Sequence, residues 1–263
     1  MQPQRLLGRL PRAHDPSVPR LSELLAVREL PAIPDAIDYA RDMPSDLGML
    51  LNDKLSDCTC AAYYHARQVW TFHSGAIEKQ YDQDAKVLYE RACGYDPGDP
   101  SSDAGGVEQH VLKYLHRSGA PIRQGRGLDK ILGFVEVPVA DIDDVKRTIY
   151  NSGVAYIGLG MPSYITSSRN VPPKVWDVRA GRQAMEGGHA VVLTGYDDDG
   201  ATLISWGERY TMTWAFFERY VDEVYAIVDA AWVRSPRFVR DGLASPGGTS
   251  LESLSESMRR ISE

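Results

Sequence analysis

Two of the chain's three cysteines follow a polar loop and lie at the start of a predicted helix. Cys58 comes directly after Asp57, a residue type that favours the N-cap position, and the small residues Ala61 and Ala62 follow. A cysteine in the first turn of a helix lies near the positive end of the helix dipole, which lowers the pKa of its thiol from about 8.5 toward neutrality. The sequence therefore predicts that Cys58 is a nucleophile.

A nucleophilic thiol needs a base, and the best candidate is His189 in the segment 187–193, Gly-Gly-His-Ala-Val-Val-Leu. This segment is predicted to be a strand, so the imidazole and the thiol can meet only through the tertiary fold. His65 is less suitable, because seven residues of helix place it about 10 Å along the axis from Cys58. We interpret His65 as a buried structural histidine.

Cys60 is the alternative nucleophile. Two residues of helix correspond to about 200° of rotation, so Cys58 and Cys60 cannot both face one imidazole. Cys58 is favoured because it begins a stripe of apolar and small residues at helical spacing. Cys60 shares its side of the helix with Tyr64 and Arg67, which indicates a half-exposed structural face. Cys93 has no obvious partner and is predicted to be a free thiol in the core.

The composition is that of an ordinary globular protein, with 263 residues, 43% hydrophobic residues and a formal net charge of −7. The negative charge and the lack of a basic cluster argue against nucleic acid as a partner. No apolar run reaches the length of a membrane span, and the N-terminus lacks the apolar core of a signal peptide. With so few cysteines, these features predict a cytoplasmic protein. No metal-ligand spacing or phosphate-binding loop is found, so we expect no cofactor and no metal site.

Hydrophobic periodicity predicts helices in the first half of the chain and mostly strands in the second. The predicted helices span residues 58–73, 84–93, 107–115, 141–152 and 213–221. The predicted strands span residues 133–139, 154–159, 189–196, 202–206 and 223–229. A helical lobe (about 47–130) followed by a β-rich lobe (about 131–235) is an α+β pattern, and the cleft between the lobes is the expected site.

Segments with little predicted regular structure flank this domain of residues 47–235. Residues 1–46 are rich in proline and arginine and are predicted to wrap over the domain as an ordered arm, the alternative being a flexible tail. By its position, the arm could also be a pro-segment that occupies the cleft. Residues 236–263 are predicted to form a linker and a short amphipathic helix that could dock a partner.

Further motifs accompany Cys58 and His189 in a fixed order. Asn52 precedes the cysteine that opens a helix, and the Gly-Gly-His-Ala-Val strand is followed by a Gly-Tyr pair and by Ser-Trp-Gly. Cys58 and His189 are 131 positions apart, a spacing typical of one family of cysteine enzymes. This pattern resembles the papain-like cysteine peptidases over about residues 36–234. The resemblance implies a papain-like α+β fold in which an active-site cleft separates a helical lobe from an antiparallel β-rich lobe.

The resemblance also implies roles for individual residues. Cys58 would be the nucleophile and His189 the general base and acid. Asn52 stands where the family has a glutamine, whose side-chain amide helps to stabilise the oxyanion; the Cys58 backbone N–H would be the second donor. Trp206 would cover the catalytic pair and exclude water. Three residues are predicted to bind substrate: Trp206, Gly188 and Trp176.

The third catalytic residue departs from the family pattern. Papain-like enzymes have an asparagine directly before Ser-Trp-Gly, and it orients the histidine. Here that position is Ile204, which has no polar side-chain atom. We predict that Ser205, or a backbone carbonyl, instead accepts the hydrogen bond from His189 Nδ1–H.

The resemblance implies a cysteine peptidase or amidase that forms a thioester on a peptide or isopeptide substrate. The same acyl-enzyme could pass its acyl group to an amine, which would make the chain an acyltransferase or ligase. The competing interpretation is a catalytically silent papain-like module that binds a peptide or protein. Ile204 favours the silent module, and the set of Cys58, His189 and Asn52 favours the enzyme.

Overall fold

The computed structural model describes residues 5–24, 32–75, 78–166 and 171–240 of the chain. The C-terminal amphipathic segment predicted from the sequence, and most of its linker, lie outside these ranges. The helices are α1 (Leu21–Leu24), α2 (Cys58–His73), α3 (Asp82–Cys93), α4 (Glu108–Arg117), α5 (Ile142–Ser152), α6 (Ser163–Thr166), α7 (Trp214–Tyr220), α8 (Ala230–Val233) and α9 (Pro236–Arg240). The strands are β1 (Ile37–Asp38), β2 (Ala120–Ile122), β3 (Gly127–Asp129), β4 (Gly133–Glu136), β5 (Ala155–Pro162), β6 (Val175–Trp176), β7 (Met185–Tyr196), β8 (Gly200–Ser205), β9 (Glu208–Thr213) and β10 (Val221–Val228).

Helix α2 is the central helix, and its predicted bounds are confirmed. It is buried on nearly all sides, because the sheet covers one face and neighbouring helices cover the others. The prediction of a half-exposed face around Cys60 is therefore wrong: Cys60 and Tyr64 have no exposed surface. Asp57 does occupy the N-cap position, but its side chain makes no capping hydrogen bond.

The second half of the chain is built on a large, mainly antiparallel sheet, so the α+β fold class is confirmed. Its strand order is β4-β10-β5-β7-β8-β9-β6, and β1 pairs with β7 in addition. Strand β7 lies between β5 and β8, and its buried run from Ala190 to Tyr196 explains why the sequence there is almost continuously apolar. The sequence patterns did not indicate β9 or the short strand β6 that pairs with it in parallel.

Side-chain caps fix two of the helices that pack on this sheet. Asp141 accepts the Asp144 backbone N–H at the start of α5, and Thr213 accepts the Phe216 N–H at the start of α7. Both helices lie close to their predicted positions. None of the helices in the described part of the chain is long and apolar enough to cross a membrane.

Residues 5–24 of the predicted arm pack on the domain. Val18 and Leu21 are buried, and Pro19 accepts the backbone N–H of Glu136 on β4. These contacts place this part of the arm against the domain. The arm also runs past the start of α2, and this part of its path forms one wall of the site described next.

Candidate active site

Cys58 lies where three parts of the chain meet. It is the first residue of α2, and backbone N–H groups of Ala190 on β7 and of Gly8 on the arm lie near enough to its sulfur to lower the pKa of the thiol. The side chain is almost entirely buried. The fold therefore brings Cys58 to the strand that carries His189, with the arm closing the third side.

The thiol of Cys58 is not activated in this arrangement. Burial raises its pKa to about 12, and the neighbouring carboxyl groups of Asp57 and Glu108 act in the same direction. The two backbone N–H groups lower the pKa but do not offset the loss of water. The prediction that the helix dipole brings the pKa toward neutrality is thus wrong for the chain with its arm in place.

His189 is held by a hydroxyl and an indole. Its Nε2 atom lies 2.8 Å from Ser205 Oγ on β8, within hydrogen-bond distance. The ring stacks on the Trp206 indole, with centroids 4.5 Å apart and planes inclined by 18°. Nδ1 is buried and has no hydrogen-bond partner among the residues that the structure describes. Burial, with a smaller contribution from His65, lowers the imidazole pKa to about 3, so the ring is neutral.

The register of β8 explains why Ser205 rather than Ile204 contacts the histidine. Ile204 pairs with Val192 and is completely buried in the core, and Ser205 is the next residue on the opposite face. The sequence predicts that Ser205 accepts from Nδ1, but in the structure the Ser205 hydroxyl lies against Nε2, which leaves Nδ1 available.

Trp206 begins a tight turn between β8 and β9. It has a φ of +49°, and Gly207 follows with a φ of +72°, a pair of left-handed residues that suits a two-residue hairpin. A tryptophan with positive φ is unusual, and such backbone strain occurs preferentially at functional sites. Trp176 had been predicted to line the cleft. It is instead fully buried behind Trp206, with ring centroids 5.9 Å apart, and it supports that indole.

Asn52 is buried in the loop before α2. Its side-chain Nδ2 donates to the Leu55 carbonyl at 3.3 Å, and its backbone carbonyl accepts the Leu6 N–H from the arm at 3.0 Å. The predicted oxyanion donor thus lies near the helix start, with its amide engaged within its own loop.

The alternative thiol, Cys60, lies in a different environment. Its hydrogen-bond partner is the Cys93 thiol, and burial raises its pKa well above the ordinary value. His65 is also buried, with its Nδ1 atom 2.8 Å from Gln68 Oε1. Neither residue contacts the arm in the way that Cys58 does. Within the described ranges no group of three histidine, cysteine or acidic side chains is arranged to hold a metal ion.

The arm fills the cleft between α2 and β7 as an extended backbone. Gly8 and Arg9 both donate to the Gly188 carbonyl, at 3.2 and 3.0 Å. On the other side, Gly106 N–H donates to the Gly8 carbonyl at 2.8 Å, and Leu10 N–H donates to the Gly106 carbonyl at 2.9 Å. Arg9 thus pairs with two segments at once, in parallel with Gly106 and antiparallel with Gly188.

The fit around Gly8 leaves no room for a side chain. A Cβ atom there would lie 1.9 Å from the Ser56 carbonyl oxygen. Farther along the cleft, the Trp206 indole N–H donates to the Leu6 carbonyl at 3.1 Å. The predicted substrate-binding residues Gly188 and Trp206 therefore both contact a peptide, and that peptide is the chain's own arm.

Known structures share this architecture. Xylellain, a cysteine protease from Xylella fastidiosa, superposes with a TM-score of 0.65 over 88% of this chain and 98% of its own length, at 14% identity. Procathepsin B S9 from Trypanosoma congolense gives a TM-score of 0.56 over 86% and 87%, at 12% identity. The cysteine protease CMS1MS2 from Carica candamarcensis gives 0.54 over 75% and 99%, at 16% identity. The fold is papain-like. No family model and no curated protein sequence matches the chain.

Within the papain-like fold, sequence reasoning missed two features of the cleft. Gly106 supplies one of its hydrogen-bonding edges, and the only signal for it was the Gly-Gly pair before α4. Arg9 was one of several scattered arginines in the arm, and its buried partners lie 99 and 214 positions away in sequence. No local pattern could have indicated that contact.

Proposed function

We propose that the chain is a papain-like cysteine peptidase whose arm occupies the cleft in the structure described above. The observation that carries the proposal is the position of the Cys58 sulfur against the Gly8 backbone, in a cleft with hydrogen-bonding groups on both sides. A cleft that holds one extended peptide by its backbone suits another peptide as substrate. Similarity in fold alone would not reach this conclusion, since one fold serves many functions.

The proposed reaction begins with proton transfer from the Cys58 thiol to His189 Nδ1. For this, Nε2 keeps its proton and donates it to Ser205 Oγ, which fixes the ring. The sulfur then forms a bond to the substrate carbonyl carbon, and the oxygen takes the electron pair. The Cys58 backbone N–H and the Asn52 side chain, once its amide turns into the cleft, would stabilise the oxyanion.

The second half of the proposed reaction uses the same proton. His189 donates it to the leaving nitrogen as the carbon–nitrogen bond breaks, which leaves a thioester on Cys58. A water molecule, deprotonated by His189, attacks the thioester and releases the acid and the thiol. An amine in place of water would give acyl transfer by the same steps.

The arm-bound chain represents a closed form in this proposal. Two features support this interpretation: the arm backbone takes the hydrogen-bonding groups that a substrate would need, and both the thiol and the imidazole are neutral near pH 7. Activity therefore requires the arm to leave. The competing proposal of a silent peptide-binding module shares the cleft but not the reactive thiol.

The test uses the full chain with Gly8→Ala, a substitution whose Cβ collides with Ser56 and displaces the arm locally. We expect this variant to hydrolyse a mixture of fluorogenic peptides at least tenfold faster than the unaltered chain. Leu10→Ala, which changes an exposed arm side chain, is the matched control and should have little effect.

The same assay distinguishes the two thiols. Adding Cys58→Ala to the Gly8→Ala chain should abolish hydrolysis, and adding Cys60→Ala should leave most of it. If a folded Gly8→Ala chain binds peptides in the cleft but hydrolyses none of them, the peptidase proposal is wrong and the silent module is correct.

A further inference from the structure

The Arg9 side chain enters a pocket lined by three carboxyl groups. Its Nε atom lies 2.7 Å from Glu223 Oε1 and 3.2 Å from Glu108 Oε2. Its two terminal nitrogens bond to Asp222, and one of them also to Glu223. The Arg9 side chain is only 3% exposed, and the side chains of Glu108 and Glu223 are not exposed at all.

The body of the protein, not the arm, supplies this pocket. Glu108 lies in the first turn of α4, and Asp222 and Glu223 are on β10. The floor is Gly158 on β5, where a Cβ atom would come within 2.2 Å of Glu108 Oε2 and 2.3 Å of Arg9 Nε. We call this set of Glu108, Gly158, Asp222 and Glu223 the guanidinium pocket. It would remain in place after the arm leaves.

The carboxyl groups of the guanidinium pocket favour binding of a cation. Burial and the neighbouring Glu223 raise the pKa of Glu108 well above its usual range. Burial works against ionisation of Glu223, but a hydrogen bond from Glu108 and the charge of Arg9 keep its pKa below the ordinary value. The Tyr225 hydroxyl also donates to Glu223 at 2.7 Å. An ionised Glu223 without a cation would be a buried unpaired charge, which is strongly destabilising.

The pocket opens next to the thiol. The Gly8 backbone lies beside the Cys58 sulfur, and Arg9 is the adjacent residue. The Arg9 backbone N–H is bound by the Gly188 carbonyl, so the cleft fixes the peptide and directs the following side chain into the pocket. A substrate held at the same backbone groups would present one side chain to Glu108 and Glu223.

We infer that the guanidinium pocket selects peptide substrates with an arginine side chain beside the residue at the Cys58 sulfur, and that Arg9 of the arm occupies the pocket until the arm leaves. This inference rests on the proposed function, because only a peptidase would have peptide substrates. The planar guanidinium pairs with both oxygens of Asp222 and donates twice to Glu223 Oε1. This arrangement favours arginine over lysine, whose single ammonium cannot make the same pairs.

The first test measures the pocket without any catalysis. All variants carry Cys58→Ala, so the result stands whatever the peptidase assay gives. Arg9→Ala empties the pocket, and we expect millimolar ethylguanidinium to raise its thermal midpoint while the uncharged isostere ethylurea does not. Neither compound should affect the chain with Arg9 intact, and adding Glu223→Gln should remove the response.

A folded Arg9→Ala chain that responds equally to ethylguanidinium and ethylurea, or to neither, would overturn the inference. If Arg9→Ala does not fold alone, its refolding yield with each compound replaces the thermal midpoint. Recovery with ethylguanidinium only supports the pocket; recovery with both or with neither contradicts it.

The second test measures selection of a peptide. The octapeptide of residues 5–12, added to the Gly8→Ala, Cys58→Ala chain, should bind at least tenfold more tightly than the same peptide with citrulline at position 9. Citrulline at position 12 is the control, because Arg12 pairs with Glu136 in a partly exposed position, and it should change the affinity less than threefold. An equal loss of affinity with citrulline at either position, or no loss with citrulline at position 9, would refute arginine selection.

Discussion

The His189 Nε2 atom and the Ser205 hydroxyl oxygen lie 2.8 Å apart. Ser205 directly follows Ile204, the position at which the papain-like pattern has an asparagine. The neighbouring Ile204 is buried in the core on the other face of the strand. A serine at position 205 can therefore orient the imidazole through Nε2, provided that the register of the strand is kept. The structure therefore gives no reason to expect that Ile204 abolishes activity.

Removing this hydroxyl should reduce turnover. In the Gly8→Ala chain we expect Ser205→Ala to lower kcat by at least tenfold and by up to about 10⁴-fold, the loss found when a catalytic triad lacks its orienting residue. KM should change little, because the Ser205 hydroxyl holds the His189 ring. The readout is peptide hydrolysis across pH, and Ser205→Thr should restore part of the rate. Thr202→Ala, half-buried on the same strand, is the control; an unchanged rate in Ser205→Ala would contradict the role.

The thiol of the arm-bound chain should titrate at high pH. Because burial raises the pKa of Cys58 to about 12, the thiolate forms only as the pH rises toward that value. We expect labelling of Cys58 by iodoacetamide, followed by peptide mapping, to increase up to at least pH 10 without a plateau. The Gly8→Ala chain should label faster at pH 7, since water reaches the thiol. A plateau below pH 8 in the unaltered chain would show that the arm does not cover Cys58.

The Trp206 indole holds the arm through one hydrogen bond to the Leu6 carbonyl. Trp206→Phe keeps an aromatic ring beside His189 but removes the donor, which costs about 1 kcal/mol and should speed Cys58 labelling at pH 7 by roughly three- to tenfold. Trp214→Phe is a matched control, because its indole donates to the Asp197 carbonyl at the same 3.1 Å distance without contacting the cleft. Equal effects of the two substitutions would mean that this hydrogen bond does not retain the arm.

Buried neutral histidines should make the chain sensitive to acid. The pKa of His65 falls to about 4, mainly because of burial, whereas the unfolded chain binds that proton near 6.5. The unfolded state therefore binds more protons as the pH falls from 6.5 toward 4, and folding stability decreases over this range. Between pH 7 and pH 5, His65 alone should remove about 2 kcal/mol.

Urea unfolding at pH 7 and pH 5 tests this prediction. His65→Gln should show a smaller loss of unfolding free energy between the two pH values than the unaltered chain, whatever its stability at pH 7. His14→Gln, at an exposed position in the arm, should leave the loss unchanged. Equal pH dependence in His65→Gln and the unaltered chain would mean that His65 is not held neutral.

The elements that the sequence predicted correctly are those with strong local signals. Helix α2 has small residues after a polar loop, α5 has Asp141 as its cap, and β7 is an apolar run that follows two glycines. These signals depend on propensity and periodicity over a few residues, which tertiary contacts here reinforce rather than override. Cys58 and His189 lie on such elements, so their positions in the secondary structure could be predicted.

The features that could not be predicted depend on contacts between distant residues. The thiol pKa is set by burial. Glu108, in a helix predicted only by its bounds, is completely buried beside Arg9. Strand β9 was missed because its polar residues alternate with only two buried ones, Tyr210 and Met212. No local sequence pattern predicts which surfaces the arm covers.

The most direct test of the account is to identify the thiol that carries an acyl group. The Gly8→Ala chain is mixed with an activated peptide ester, quenched in acid within seconds and mapped by mass spectrometry. We predict one acyl group on Cys58, which persists with Cys60→Ala and disappears with Cys58→Ala. An acyl group on Cys60 or Cys93, or none on a folded chain that binds the ester, would contradict the assignment of Cys58 as the nucleophile.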